Sequence, residues 1–150
     1  MILDDRLEMC DATALNTGGA ASYLIGSQID LVAAGLDIGN GEPVYLVIQI
    51  DTAVDSAADN TTQNFILASD DSASIATDGS ATVHWQSGAL AQTAIDAAGD
   101  LVCAVALPMG TYEQYLGILH TTAVAAATAG KINAFLTRDV AKWKAYADAI

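Results

Sequence analysis

A chain of 150 residues that is 53% hydrophobic, with mean hydropathy +0.37, is too apolar for disorder and long enough for one domain with a core. Eighteen acidic residues against five basic ones give a formal charge of −13, which repels phosphate backbones and anionic bilayers alike. Neither nucleic acid nor a membrane is therefore expected as a partner, and the scarcity of aromatics (6%) predicts a core of small aliphatic layers.

The N-terminus, Met1-Ile2-Leu3-Asp4-Asp5-Arg6, lacks a basic stretch followed by an apolar run. No signal peptide is expected, and synthesis in a cytoplasm is. Residues 7–16 and 20–32 are weak strand candidates, separated by Thr17-Gly18-Gly19 and interrupted at Gly26. Residues 37–42 form a turn of Gly, Asn and Asp, types that tolerate positive φ. Residues 43–51 then give the strongest strand signal. Val44, Leu46, Ile48 and Ile50 share one face by period two, and Tyr45, Val47, Gln49 and Asp51 share the other.

Residues 63–68 form a further strand, closed by Ser69-Asp70-Asp71-Ser72. Residues 81–86 are another, with Val83 and Trp85 on one face and His84 on the other. Residues 101–107 read as a buried strand ended by Pro108-Met109-Gly110. Residues 113–122 and 131–140 are expected to pair as a hairpin across the Ala-rich link 123–130. The uncharged stretch 114–130 is too short and too polar to span a bilayer. About eight short strands with turns between them predict an antiparallel β-sandwich or barrel over residues 1–140. Residues 141–150 are expected to be a short C-terminal arm of the same domain.

The inventory of chemistry is thin. His84 and His120 each sit in a strand candidate, where a single histidine is more readily a packed or surface residue than a ligand. Cys10 and Cys103 have no metal or redox spacing and are expected to stay reduced. No Gly-x-Ser-x-Gly elbow occurs, and Gly39-Asn40-Gly41 precedes a strand, so it is a turn and not a dinucleotide loop. Asn60-Thr61-Thr62 matches a glycosylation sequon, which means little without secretion. Asp70, Asp71 and Asp78 fit either a calcium-binding loop or solvated turns. No catalytic residue, cofactor or metal is expected, and the chain reads as a non-enzyme.

Several motifs follow one another in a familiar order: Met1-Ile2-Leu3-Asp4 with Asp11-Ala12, then residues 37–43 leading into Tyr45-Leu46-Val47-Ile48, then Ser69-Asp70-Asp71. Ser87-Gly88-Ala89-Leu90, Leu107-Pro108-Met109-Gly110, Tyr115-Leu116 and residues 128–134 continue the series. In this order they resemble the cement proteins of short-tailed phages, of the Bordetella-phage type. The resemblance implies a jelly-roll sandwich on the outer capsid surface of a virion, bridging capsomers against the pressure of packaged DNA. It implies the major capsid protein and further copies of itself as partners, with no catalytic residues. A carbohydrate- or receptor-binding sandwich is the alternative, for which Trp85, Tyr112, Tyr115 and Trp143 would be the aromatic platforms.

A bridging protein must touch more than one capsid subunit, so a homodimer is expected in preference to a trimer. Four of the five basic residues lie within residues 131–150, and Trp143, Tyr146 and Ile150 add an apolar stripe there. Lys142, Trp143, Lys144, Tyr146 and Ile150 are accordingly the expected interaction residues of the arm.

Overall fold

In the computed structural model, which describes residues 5–15, 17–35, 38 and 43–140, the β-branched runs between Gly and Asp turns become nine strands. They are β1 (Glu8–Ala14), β2 (Ala21–Asp30), β3 (Tyr45–Asp55), β4 (Thr62–Asp70) and β5 (Thr82–Gln86). After them come the two-residue β6 (Leu90–Ala91), β7 (Leu101–Ala106), β8 (Tyr115–Ala123) and β9 (Ala129–Thr137). One sheet has the order β1-β9-β3-β7; the other is β2-β8-β4-β5, with β6 beside β4. All pairings are antiparallel. Except along β4, β5 and β6, each successive strand crosses to the opposite sheet. That winding is an all-β jelly-roll sandwich.

The expected hairpin of residues 113–122 with 131–140 does not form. β8 lies between β2 and β4 and β9 between β1 and β3, so both edges of each strand are already taken. Their link instead turns across one end of the sandwich, with Val124 at φ 68° and the Thr128 N–H donating to Asp55 O at 2.8 Å. The inward rows of the two strands thus face each other.

Between the sheets, Leu46, Ile48 and Ile50 of β3 and Ile132, Ala134 and Leu136 of β9 meet Phe65, Leu67, Leu116 and Ile118. Burying each large member contributes about 1.5–3 kcal/mol. Alternation on β3 holds for this inner face. On the other face, however, Val47 and Gln49 are also buried, at 0% and 4% exposure. The expected face shared by Val83 and Trp85 is likewise broken. β5 shifts register between Trp85, opposite Leu67, and Val83, opposite Ala68. Trp85 packs on the core while Val83 is exposed.

The outer face of the second sheet is covered by the β4–β5 connection. Ile75 packs there on Ala68 and Leu119. Gly117 makes the room, since a Cβ at that position would stand 2.8 Å from Ile75 Cδ1.

Both cysteines are free. Cys10, Ala134, Ile48 and Cys103 form one row across the first sheet, with the thiols at its two ends. Three strand spacings of about 4.8 Å separate them, well beyond the reach of a disulfide. Burial pushes each thiol up to about 12, so almost no thiolate exists near neutral pH. Iodoacetamide at pH 8 should leave the native protein nearly unmodified and label both cysteines after unfolding. A two-dalton mass deficit before reduction would contradict this.

Candidate functional site

β4 runs the length of the sandwich, and a polar cluster closes the interior at each of its ends. At its start, Gln63 donates to Thr61 Oγ1 (2.6 Å) and Thr122 Oγ1 (3.1 Å). The Gln63 carbonyl oxygen therefore faces His120 Nε2 as an acceptor, which fixes the proton on Nε2. His120 is fully buried, and its Nδ1 has no hydrogen-bond partner.

At the far end of β4 the side chains of Ser69, His84 and Glu113 converge from three separate segments. Ser69 Oγ lies 2.8 Å from His84 Nε2, donates to Glu113 Oε2 at 2.9 Å and accepts from the Glu113 N–H at 3.2 Å. The Glu113 carboxylate can only accept, so the serine proton goes to it and His84 Nε2–H must donate to Ser69. This is the reverse of a nucleophile and its base, because the histidine cannot draw a proton from a hydroxyl to which it donates. Ser69 is also fully buried. The group is a brace tying β4, β5 and the β7–β8 connection together. Tyr112 extends it by stacking on His84 at 3.9 Å between ring centroids, while its hydroxyl donates to Pro108 O at 2.7 Å. Desolvation lowers the His84 pKa, partly offset by Glu113.

Beside this brace lies a cleft of about 540 Å³ at the sandwich end formed by the β2–β3, β4–β5 and β7–β8 connections. Leu31, Val32 and Ile38 line one side, Tyr112 lines another, and Asp71 and Glu113 supply carboxylates. Its turns are held by local hydrogen bonds. Asp30 Oδ1 accepts from the N–H groups of Val32 and Ala33, both at 3.0 Å, and its carboxylate also accepts from Gln114 Nε2. The Ala33 N–H is the main cause that lowers the Asp30 pKa.

Asp70 accepts from Ser72 N (2.9 Å) and Ala76 N (3.0 Å), and Asp78 accepts from both Ser80 N and Ser80 Oγ. These bonds lower both pKa values and give the acidic loop a turn-forming role. Among the described residues, no three His, Cys, Asp or Glu side chains gather as metal ligands would. No helix among them is long and apolar enough to cross a membrane.

Three of the four aromatic candidates for carbohydrate binding, Trp85, Tyr112 and Tyr115, are half-buried and are not open platforms. Trp85 and Tyr112 pack against the main core and Tyr115 against the Ile75 cluster. Lys142, Trp143, Lys144, Tyr146 and Ile150, with the rest of the arm, lie outside the described residues. What sequence reasoning missed is the end of the sandwich. Ser69, His84 and Glu113 are separated by 15 and 29 positions; the β4–β5 pairing brings the first two together, and the β7–β8 connection between the sheets adds the third. Tyr112 and Asp71, read from the sequence for other roles, both line the cleft, and Met109, a large apolar residue inside a Pro-Gly turn, was a further local signal.

No curated protein matches this chain. A family model does, over residues 10–136, from within β1 to the penultimate residue of β9, and so across the entire jelly roll. The chain belongs to the Bbp16 family.

Proposed function

We propose that this chain is a structural virion protein that binds the outer surface of a tailed-phage capsid and cements neighbouring capsomers. It has the major capsid protein and a second copy of itself as partners and carries no catalytic activity. The observation that carries this reading is the loop end around the cleft. Val32 and Met109 stand 72% and 86% exposed there, on connections fixed by the Asp30–Gln114 bonds and the Ser69–His84–Glu113 brace. Large apolar side chains held in water on braced loops have the anatomy of contact anchors. The carboxylates of Asp71 and Glu113 suit a Lys or Arg from the lattice. The motif order shared with phage cement proteins supports the choice of a capsid as that partner. Modest single contacts suffice, because an oligomer engaging two lattice sites gains avidity.

The test is cosedimentation with purified, undecorated shells. The full chain should pellet with them, and the double variant Val32→Asp, Met109→Asp should bind at least tenfold more weakly. Because both side chains are exposed, its melting temperature should stay within a few degrees of the parent. Equal binding by the variant would remove this end of the sandwich from the contact. No binding by the parent would remove the cement reading itself.

A further inference from the structure

The β4–β5 connection covers the outer face of the second sheet, but part of the outer face of the β1-β9-β3-β7 sheet is buried too. Val47 of β3 stands opposite Phe135 of β9 there, on the face turned away from Leu46, Ile48 and Leu136. Among the described residues these two join neither the main core nor the Ile75 cluster, yet they are 0% and 2% exposed. Gln49 and Thr137, also buried, extend the patch along the same outward rows. The open face of an antiparallel sheet meets water, so side chains this deep need atoms stacked above them.

The cover is narrow. Ala104 pairs with Val47 and Ala106 with Tyr45, so both point to this same face from β7, and both are exposed. What lies over β9 and β3 thus stops short of the neighbouring strand. A footprint two strands across, about 10 Å, matches a single segment of chain, which as a helix is about 10–12 Å wide. A second sandwich laid on this face would cover β7 as well.

We infer that residues 141–150 of the same chain fold back over this face and set Trp143, Tyr146 and Ile150 against Val47 and Phe135. β9 ends at Thr137, opposite Tyr45, so the Val47–Phe135 pair lies only two positions back, about 7 Å along the strand. Ten residues reach about 15 Å as a helix and about 33 Å extended, ample for that return. Trp143, Tyr146 and Ile150 recur at spacings of three and four, which brings side chains to one helical face. Charge selects this segment over the others that adjoin the sheet in sequence. The face is flanked by carboxylates, Glu8 opposite Phe135 and Asp51 on the outward row of β3. Residues 1–4 end in Asp4, and residues 36–42 hold Asp37 and Glu42, so both would bring like charge. Residues 141–150 place Lys142 and Lys144 on either side of Trp143 and hold one acid, Asp148. Opposite charges then meet at the rim of an apolar contact. The aromatic residues of the arm are occupied within the chain and do not anchor a contact between molecules.

NMR of the full chain tests this. NOEs should connect the Trp143 indole to the Val47 methyls and the Phe135 ring, and a mixture of labelled and unlabelled chains should show them to be intramolecular. Trp143→Ser should shift the Val47 and Phe135 resonances toward those of exposed side chains and raise the binding of an apolar-surface dye roughly severalfold. The Ile48 and Ile132 amides should keep their exchange protection in that variant, since their side chains face the other way. NOEs to Val47 and Phe135 from residues 1–4 or 36–42 in place of Trp143 would overturn the inference. So would Trp143 contacts that run between molecules, or a Val47 methyl unmoved by Trp143→Ser.

Discussion

Replacing Gly26 with alanine should destabilise the fold by about 3 kcal/mol or more, lowering the melting temperature by roughly 10 °C. Gly26 stands in β2 at φ +71°, within the register shift between Ile25, opposite Ile118, and Ile29, opposite Leu116. The extra residues bend β2 toward β1 and close that side of the sandwich. A Cβ there would lie 2.1 Å from Met9 O and 2.5 Å from Cys10 Sγ. Met9 O belongs to the backbone of β1, and Met9 and Cys10 are 2% and 1% exposed, so neither strand can yield without opening the core. Gly88 separates the two causes. It has nearly the same φ, +73°, but nothing within 4 Å of the Cβ position. Gly88→Ala therefore meets only the cost of a left-handed backbone, about 1 kcal/mol. Denaturant titration of both variants checks the difference. If Gly26→Ala costs no more than Gly88→Ala, β1 and β2 are not in close contact at this corner.

Gly26 also shows what a sequence makes legible and what it hides. Its position inside a strand candidate marked an interruption, but the β1 carbonyl that requires a glycine lies 17 positions away. The inner face of β3 was readable because Leu46, Ile48 and Ile50 repeat at the strand's own period. The burial of Val47 and Gln49 was not, because alternation assumes that one face meets water. The β8–β9 pair was misread for a related reason. A short link between two strands suggests a hairpin, whereas a jelly roll uses such links to cross between sheets. The cleft and the Ser69–His84–Glu113 brace combine two such crossings, β2–β3 and β7–β8, with the β4–β5 connection, so no local pattern could announce them. The capping role of Asp70 and Asp78 was half visible, since the same Asp-rich turn chemistry serves a metal or a backbone N–H.

Acidification from pH 6.5 to 4 should remove about 3 kcal/mol of stability through His120 alone. The ring lies in the row Tyr23–His120–Phe65 across β2, β8 and β4, at 6.5 Å and 5.6 Å between centroids. Its polar contact is Gln63, whose amide is already committed to Thr61 and Thr122. Burial without a carboxylate beside it drives the pKa from 6.5 down to about 4. In the unfolded chain the imidazole titrates near its ordinary value, so between these two pH values the unfolded state binds a proton that the native state refuses. Stability is then full above pH 6.5, falls as pH drops through this window, and levels off below about 4. At about 1.4 kcal/mol per pH unit, the interval from 6.5 to about 4 gives the quoted loss. His84, lowered less, contributes in the same direction, whereas Asp30, Asp70 and Asp78 act only at lower pH because their pKa values are depressed below 3.8. His120→Gln, which keeps a donor toward Gln63 but cannot be protonated, should be less stable at pH 8 through poorer packing. Between pH 6.5 and 4, however, its unfolding free energy should be flatter than the parent's by about 3 kcal/mol. An unchanged pH slope in that variant, or a His120 imidazole seen by NMR to titrate near 6.5 in the folded protein, would show that the interior at this end of β4 admits a proton.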